Sequence, residues 1–150
     1  NTYGPRQSAR AIIPTIVAQI ASGAKEIRLG NLSPTRDLTF VKDTVEGFIE
    51  IFKSKSLYGE ATNIGMKDEI SVGDLVKKIA DIMNANVSIV SERQRVRPGE
   101  SEVERLCCDN SKIMKHTGWK PAYTLDSGLA ESVLWIKENI SNFKPGIYNV

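Results

Sequence analysis

The chain has 150 residues, long enough for one domain with a real core and short for two. Its 41% hydrophobic and 25% charged residues are ordinary for a soluble globular domain, and 20 basic against 18 acidic residues leave a net charge of +2. That balance excludes nucleic acid and a membrane surface as principal partners, since both call for a concentrated basic face, and no apolar run approaches the roughly 18 residues of a membrane span.

Asn1-Thr2-Tyr3-Gly4-Pro5 opens on a turn sequence without a methionine, and the chain is expected to be part of a longer polypeptide. Over residues 11–22, Ile12, Ile13, Ile16, Val17 and Ile20 recur at helical spacing, with Pro14 tolerable in the first turn and Gly23 as the C-terminal cap. Residues 26–29 read as a short strand and 36–41 as a second. The helix that follows, 42–53, carries a stripe of Val45, Phe48, Ile49 and Phe52 that is predicted to be buried. Residues 61–64 form a short strand ended by Gly65. Ser71-Val72-Gly73-Asp74 has the form of a capping box, opening a helix with Leu75, Val76, Ile79, Ile82 and Met83 on its apolar face. A strand at 87–90, a loop at Pro98-Gly99 and a short strand at 103–107 follow. Cys107 and Cys108 are neighbours, which strains any disulfide between them. They are expected as reduced thiols of a cytoplasmic protein, at least one buried beside Leu106. Asp109 caps a short helix ending near Gly118, and a last helix over 126–140 has Leu129, Val133, Ile136 and Ile140 on one face. The tail, 141–150, reads as irregular. Strands separated by helices predict α/β packing with a small, partly parallel sheet, too small to be self-sufficient.

No complete catalytic signature is present: no G-x-G-x-x-G, P-loop, zinc spacing or nucleophile elbow, and no Tyr followed four residues later by Lys. His116, the only histidine, stands alone, and no metal is expected. By itself the chain is expected to catalyse nothing. What remains is a set of arginines and amides at loops and element ends. Arg6 and Arg10 precede the first helix, where guanidinium groups beside a helix N-terminus suit a phosphate; a solvated basic turn is the alternative. Arg36-Asp37 begins a strand that continues Leu38-Thr39-Phe40-Val41, and a charged pair there is expensive to bury unless it is ligand-bound or forms a structural salt bridge. Arg97 precedes Pro98-Gly99-Glu100, a rigid turn that fixes the direction of a guanidinium; an exposed loop arginine is the alternative.

Taken in order, these segments resemble the extended short-chain dehydrogenase/reductases. Asn1-Thr2-Tyr3-Gly4-Pro5-Arg6-Gln7 is similar to the segment that follows the catalytic Tyr/Lys region of that family. Ile13-Pro14, Arg36-Asp37 with Val41-Lys42-Asp43, Asn63-Ile64-Gly65 and Arg97-Pro98-Gly99-Glu100 continue the series. Asp109-Asn110-Ser111-Lys112, Gly118-Trp119-Lys120-Pro121 and Gly128-Leu129 with Trp135 complete it, in order and spacing. The chain looks closest to 4,6-dehydratase-like members acting on nucleotide-activated sugars, and residues 97–112 resemble enzymes of nonulosonate pathways.

The resemblance implies an α/β fold in which residues 1–140 are the C-terminal, sugar-nucleotide-binding domain of an NAD(P)-binding Rossmann-type enzyme, a nucleotide-sugar 4,6-dehydratase or epimerase. It places NAD and the catalytic Tyr/Lys pair in an N-terminal Rossmann domain that docks on this one, and implies a homodimer for the whole. It further implies Asn1 at the domain junction against the sugar diphosphate, Arg36 on the diphosphate, Arg97 on phosphate or ribose with Glu100 beside it, Asn63 near the nucleotide, and Ile12 and Ile13 lining the pocket. Some relatives have a phosphate-binding lysine at the position of Ala11; here Arg6 or Arg10 is the candidate replacement. A non-catalytic sugar-nucleotide-binding or dimerisation module is the alternative. Two spatial expectations follow. Arg36 and Arg97 should converge on one anion site. Residues 61–64 should find their strand partner only in the other half, leaving a free edge and an uncovered apolar patch.

Overall fold

The computed structural model describes residues 1–92, 95 and 102–144. In chain order the elements are β1 (Thr2–Tyr3), α1 (Ile12–Ala21), β2 (Glu26–Leu29), β3 (Thr35–Arg36), β4 (Thr39–Phe40), α2 (Val41–Lys53), β5 (Ile70–Ser71), α3 (Val72–Ile82), β6 (Ser88–Ser91), β7 (Arg105–Leu106), α4 (Ser111–His116) and α5 (Leu125–Glu138), with 3-10 turns at Lys55–Leu57 and Ile140–Asn142. Local chemistry sets several of these ends. The Ser71 hydroxyl accepts the Asp74 N–H at 3.0 Å and donates to the Asp74 carboxylate at 2.7 Å, opening α3. Thr124 Oγ1 takes the Ser127 N–H at 3.2 Å and opens α5. Gly23, at φ 83°, closes α1 in the left-handed region.

Helices α1, α3 and α5 pack on one another around a core of Ile13, Ile16, Val17, Ile20, Leu75, Val76, Ile79, Leu129, Val133 and Ile136. Tyr3, Ile27, Leu29, Leu38 and Phe40 close that core from the strand side. Gln19, buried on α1, ties the helix to β2: its amide nitrogen donates to the Arg28 carbonyl at 3.3 Å and its oxygen accepts the Arg28 N–H at 2.9 Å.

The small, partly parallel sheet is realised as three pieces. β1 pairs with β4 and β2 with β6, both parallel; β3 lies between antiparallel β5 and parallel β7. The strand expected over 36–41 is therefore broken, with Arg36 in one sheet and Thr39 in another. Asp37 is the cause. Its buried carboxylate accepts the backbone N–H groups of Met66 and Lys67 at 2.9 Å each and of Cys108 at 3.1 Å, turning the chain between the two sheets.

Two expectations of burial are corrected. The α2 stripe is apolar as predicted but uncovered: Val45 is 52% exposed, Phe48 65%, Ile49 41% and Phe52 78%. Only the opposite side of α2 is packed, through Asp43 and Gly47. Residues 61–64 adopt no strand and run beside α2, where Ile64 fills the notch left by Gly47. Cys107 is exposed and Cys108 half-buried, so neither is a core residue; both are free thiols, and burial, then the neighbouring Asp37, pushes the Cys108 thiol above its ordinary value.

Candidate functional site

A cavity of about 420 Å³ opens where the loop after β1, the N-terminus of α1 and the ends of β2 and β3 meet. Its apolar wall comes from Ile12, Ile13, Pro14, Leu29, Leu38 and Val72, and its polar groups from Asn1, Gln7, Arg10, Asn31, Arg36, Arg95, Glu102 and Lys144. Asn1 is fixed by β1–β4 pairing, its carbonyl accepting the Thr39 N–H at 2.9 Å, and its side-chain amide donates to the Asp37 carbonyl at 3.4 Å. Gln7 Nε2 donates to the Thr2 carbonyl at 3.1 Å, while its buried Oε1 has no protein partner. At the mouth of α1 the N-cap residue is Ala11, which offers no side-chain acceptor, so the first-turn N–H groups of Ile12 and Ile13 keep their donor capacity. A helix end of this kind carries partial positive charge and accepts an anion.

Arg36 is a firmly held cation of the wall. Its guanidinium donates to the Thr35 carbonyl at 2.8 Å and pairs with Glu102 at 2.9 Å, with both side chains largely withdrawn from water. The expected alternative partner, Asp37, instead accepts three backbone N–H groups and forms no ion pair among the described residues. Arg95, also a lining residue, is gripped by Glu92 at 2.6 Å, and the same carboxylate pairs with Arg28 at 3.2 Å.

Asn1, Arg10, Ile12, Ile13 and Arg36 line one cavity. Arg6 and Asn63 are exposed and are not among its lining residues. Arg6 occupies a left-handed turn position at φ 66°, which directs the chain into α1 without bringing its own side chain to the wall. Arg97 and Glu100 lie outside the described residues, and with them the expected convergence of Arg36 and Arg97. Gln7, Asn31, Arg95, Glu102 and Lys144 escaped sequence reasoning. Glu102 had a usable signal: a buried Arg36 demands a counter-charge, and Asp37 is not the only acid available.

These residues do not fit NAD. β2 runs through Gly30 and Asn31 into β3 rather than into a helix, and β5 passes into α3 at Val72 with no turn between them and with Ser71 capping the helix, so the described lining lacks the strand–turn–helix whose backbone N–H groups hold a dinucleotide pyrophosphate. No group of three or more potential metal ligands occurs among the described residues.

Residues 1–132 match the family model of GDP-mannose 4,6 dehydratase. The chain belongs to that family. The dTDP-glucose 4,6-dehydratase of Xanthomonas campestris is 29% identical over 149 residues, covering 93% of this chain and 41% of that protein. The human dTDP-D-glucose 4,6-dehydratase is 28% identical over 147 residues, covering 96% and 41%. Among solved structures, dTDP-glucose 4,6-dehydratase from Bacillus anthracis in complex with NAD superposes with a TM-score of 0.80 at 27% identity, covering 97% of this chain and 45% of that one. UDP-glucuronic acid 4-epimerase from Bacillus cereus, in complex with UDP-glucuronic acid and NAD, gives 0.83 at 25% identity, covering 93% and 43%. The chain spans less than half the length of these relatives, which are dehydratases and epimerases of nucleotide sugars. Within the family fold, much of the motif series serves as scaffold. Asp43 accepts the N–H groups of Ala122 and Tyr123, the Trp119 indole donates to the Asp43 carbonyl, and Asn110 donates to the Gly65 carbonyl.

Proposed function

We propose that this chain is the nucleotide-sugar-binding portion of an NAD-dependent 4,6-dehydratase or epimerase, with the cofactor and the reacting groups held by polypeptide outside these 150 residues. The observation that carries the reading is the convergence of Asn1, Arg10, Arg36 and the uncapped N-terminus of α1 on one cavity that also has an apolar wall. That combination suits a diphosphate flanked by a nucleoside: guanidinium and backbone N–H donors take the phosphate oxygens, and Ile12, Ile13 and Leu38 take the flat face of a base or ribose. The work of these residues is to bind and orient. Holding the diphosphate rigidly fixes where the sugar points, which is the part of catalysis that positioning supplies.

The uncovered face of α2 supports the same reading. Val45, Phe48, Ile49 and Phe52 form an exposed apolar stripe on the helix beside which the non-strand residues 61–64 run, and an N-terminal Rossmann domain is its proposed occupant, with a homodimer proposed for the whole protein. The 150-residue chain alone is expected to turn over nothing. It should bind nucleotide sugars at a millimolar dissociation constant or weaker, since a few charge-assisted bonds of about 1.5–3 kcal/mol each barely offset the ~4–15 kcal/mol cost of association. The test is turnover by the full-length polypeptide of UDP-, GDP- and dTDP-linked hexoses, with loss of water read by mass spectrometry of the sugar and inversion of a hydroxyl by proton NMR. Loss of water or inversion of a hydroxyl is expected with one nucleotide class; no change with any of them would contradict the proposal.

A further inference from the structure

Among the described residues the cavity wall carries four cationic side chains, Arg10, Arg36, Arg95 and Lys144, and one carboxylate, Glu102. A carboxylate in an anion site is unfavourable unless it has a task. Glu102 is not a core residue; its pair with Arg36 sits on the wall, and the side chains are only 20% and 13% exposed. One Glu102 oxygen holds Arg36, and the guanidinium spends just two of its five N–H groups, on Glu102 and on the Thr35 carbonyl. Those two contacts fix the plane of the fork and leave its other donors for the cavity. A bridge that served stability alone would gain by spending them.

Charge gives the second half of the inference. Glu102 cancels the charge of Arg36, and the single charge of Glu92 is shared between Arg95 and Arg28, so the positive excess that an anion meets at the described wall is one charge smaller than it would be without Glu102. A diphosphate diester carries about two negative charges near neutral pH, and a free nucleoside diphosphate approaches three because its terminal phosphate loses a second proton near pH 6. Resting on the nucleotide-sugar reading of the cavity, we propose that Glu102 is a positioning residue for Arg36 whose own charge favours the diphosphate diester of a nucleotide sugar over the free nucleoside diphosphate.

The experiment is calorimetric titration of the full-length polypeptide, wild type, Glu102→Gln and Glu102→Ala, with matched pairs: UDP-glucose and UDP, GDP-mannose and GDP, dTDP-glucose and dTDP. Glu102→Gln keeps the shape and an acceptor oxygen for Arg36 while removing the charge. It is expected to improve binding of the free diphosphate about three- to tenfold more than that of its ester, the scale of one unit charge near a partly solvated site. Glu102→Ala has the same net charge but nothing to hold the fork, and is expected to bind both members of a pair about tenfold more weakly than Glu102→Gln. Equal changes for ester and free diphosphate in Glu102→Gln would overturn the charge role. Equal affinities of the alanine and glutamine variants would overturn the positioning role. A wild-type protein that binds no member of any pair would instead overturn the nucleotide-sugar reading beneath both.

Discussion

Replacing Asp37 with asparagine changes one oxygen to an amide and almost nothing in volume, yet the structure makes it one of the most damaging substitutions outside the apolar core. Asp37 Oδ1 accepts the Met66 N–H, and Oδ2 accepts the N–H groups of Lys67 and Cys108, all within 3.1 Å and away from water. Asparagine has a single acceptor oxygen. Its better orientation keeps Lys67 and Cys108, now without charge assistance, and sets the amide NH2 against the Met66 N–H. One charge-assisted bond worth about 1.5–3 kcal/mol is lost, and a donor left facing a donor adds about 1–3 kcal/mol. The sum of roughly 2.5–6 kcal/mol corresponds to a melting temperature lower by about 5–24 °C in a chain of this size. Urea and thermal unfolding of the 150-residue chain at low concentration measure it. A loss below about 1 kcal/mol would show that the three N–H groups find other partners and that Asp37 is not the hinge between the sheets.

Further tests address other parts of the fold. A Cβ at Gly128 collides with the Tyr3 hydroxyl and the Phe40 ring, so Gly128→Ala should destabilise by about 1–3 kcal/mol in the same assay. The 150-residue chain should self-associate through α2, and Phe48→Glu with Phe52→Glu should return it to a monomer at concentrations where the wild type is heavier, as read by sedimentation; a wild type that stays monomeric would mean the exposed stripe needs no partner. Glu69 is held below its ordinary value of 4.5 by hydrogen bonds from Arg105 first and Thr35 second. Its contribution is present above the unfolded-state value and lost as pH falls through the lower folded one, so NMR should find its titration midpoint under 4.5 and find it raised in Arg105→Ala.

The parts of the fold legible in the sequence are those that local rules decide. Ser71 and Asp74 mark the start of α3, the spacing of Ile13, Ile16, Val17 and Ile20 marks the buried face of α1, and β2 falls on Glu26–Leu29 as expected. Periodicity identifies the apolar side of α2 but says nothing about what covers it, so it predicts burial for Phe48 and Phe52, which the structure leaves exposed. The break at Asp37 was hidden because its partners, Met66, Lys67 and Cys108, lie far along the chain. The site followed the same division. Asn1, Arg10, Ile12, Ile13 and Arg36 belong to segments whose place at element ends can be read, whereas the pairing of Arg36 with Glu102 and of Arg95 with Glu92 depends on how distant segments meet. Asn63 rests on resemblance alone; it is exposed and is not among the residues that line the cavity.

The central claim is that the cavity beside α1 takes the diphosphate of a nucleotide sugar, and affinity in the Arg36→Ala variant tests it most directly. In the full-length polypeptide, wild type and Arg36→Ala are titrated with the nucleotide sugar that gives the largest heat. Arg36 donates from the wall through a fork already held at 2.8 and 2.9 Å, so its loss removes at least one charge-assisted bond, about 1.5–3 kcal/mol. The predicted result is a dissociation constant weaker by roughly ten- to 150-fold. An unchanged constant in a variant that folds as the wild type does would place the diphosphate elsewhere and contradict the account.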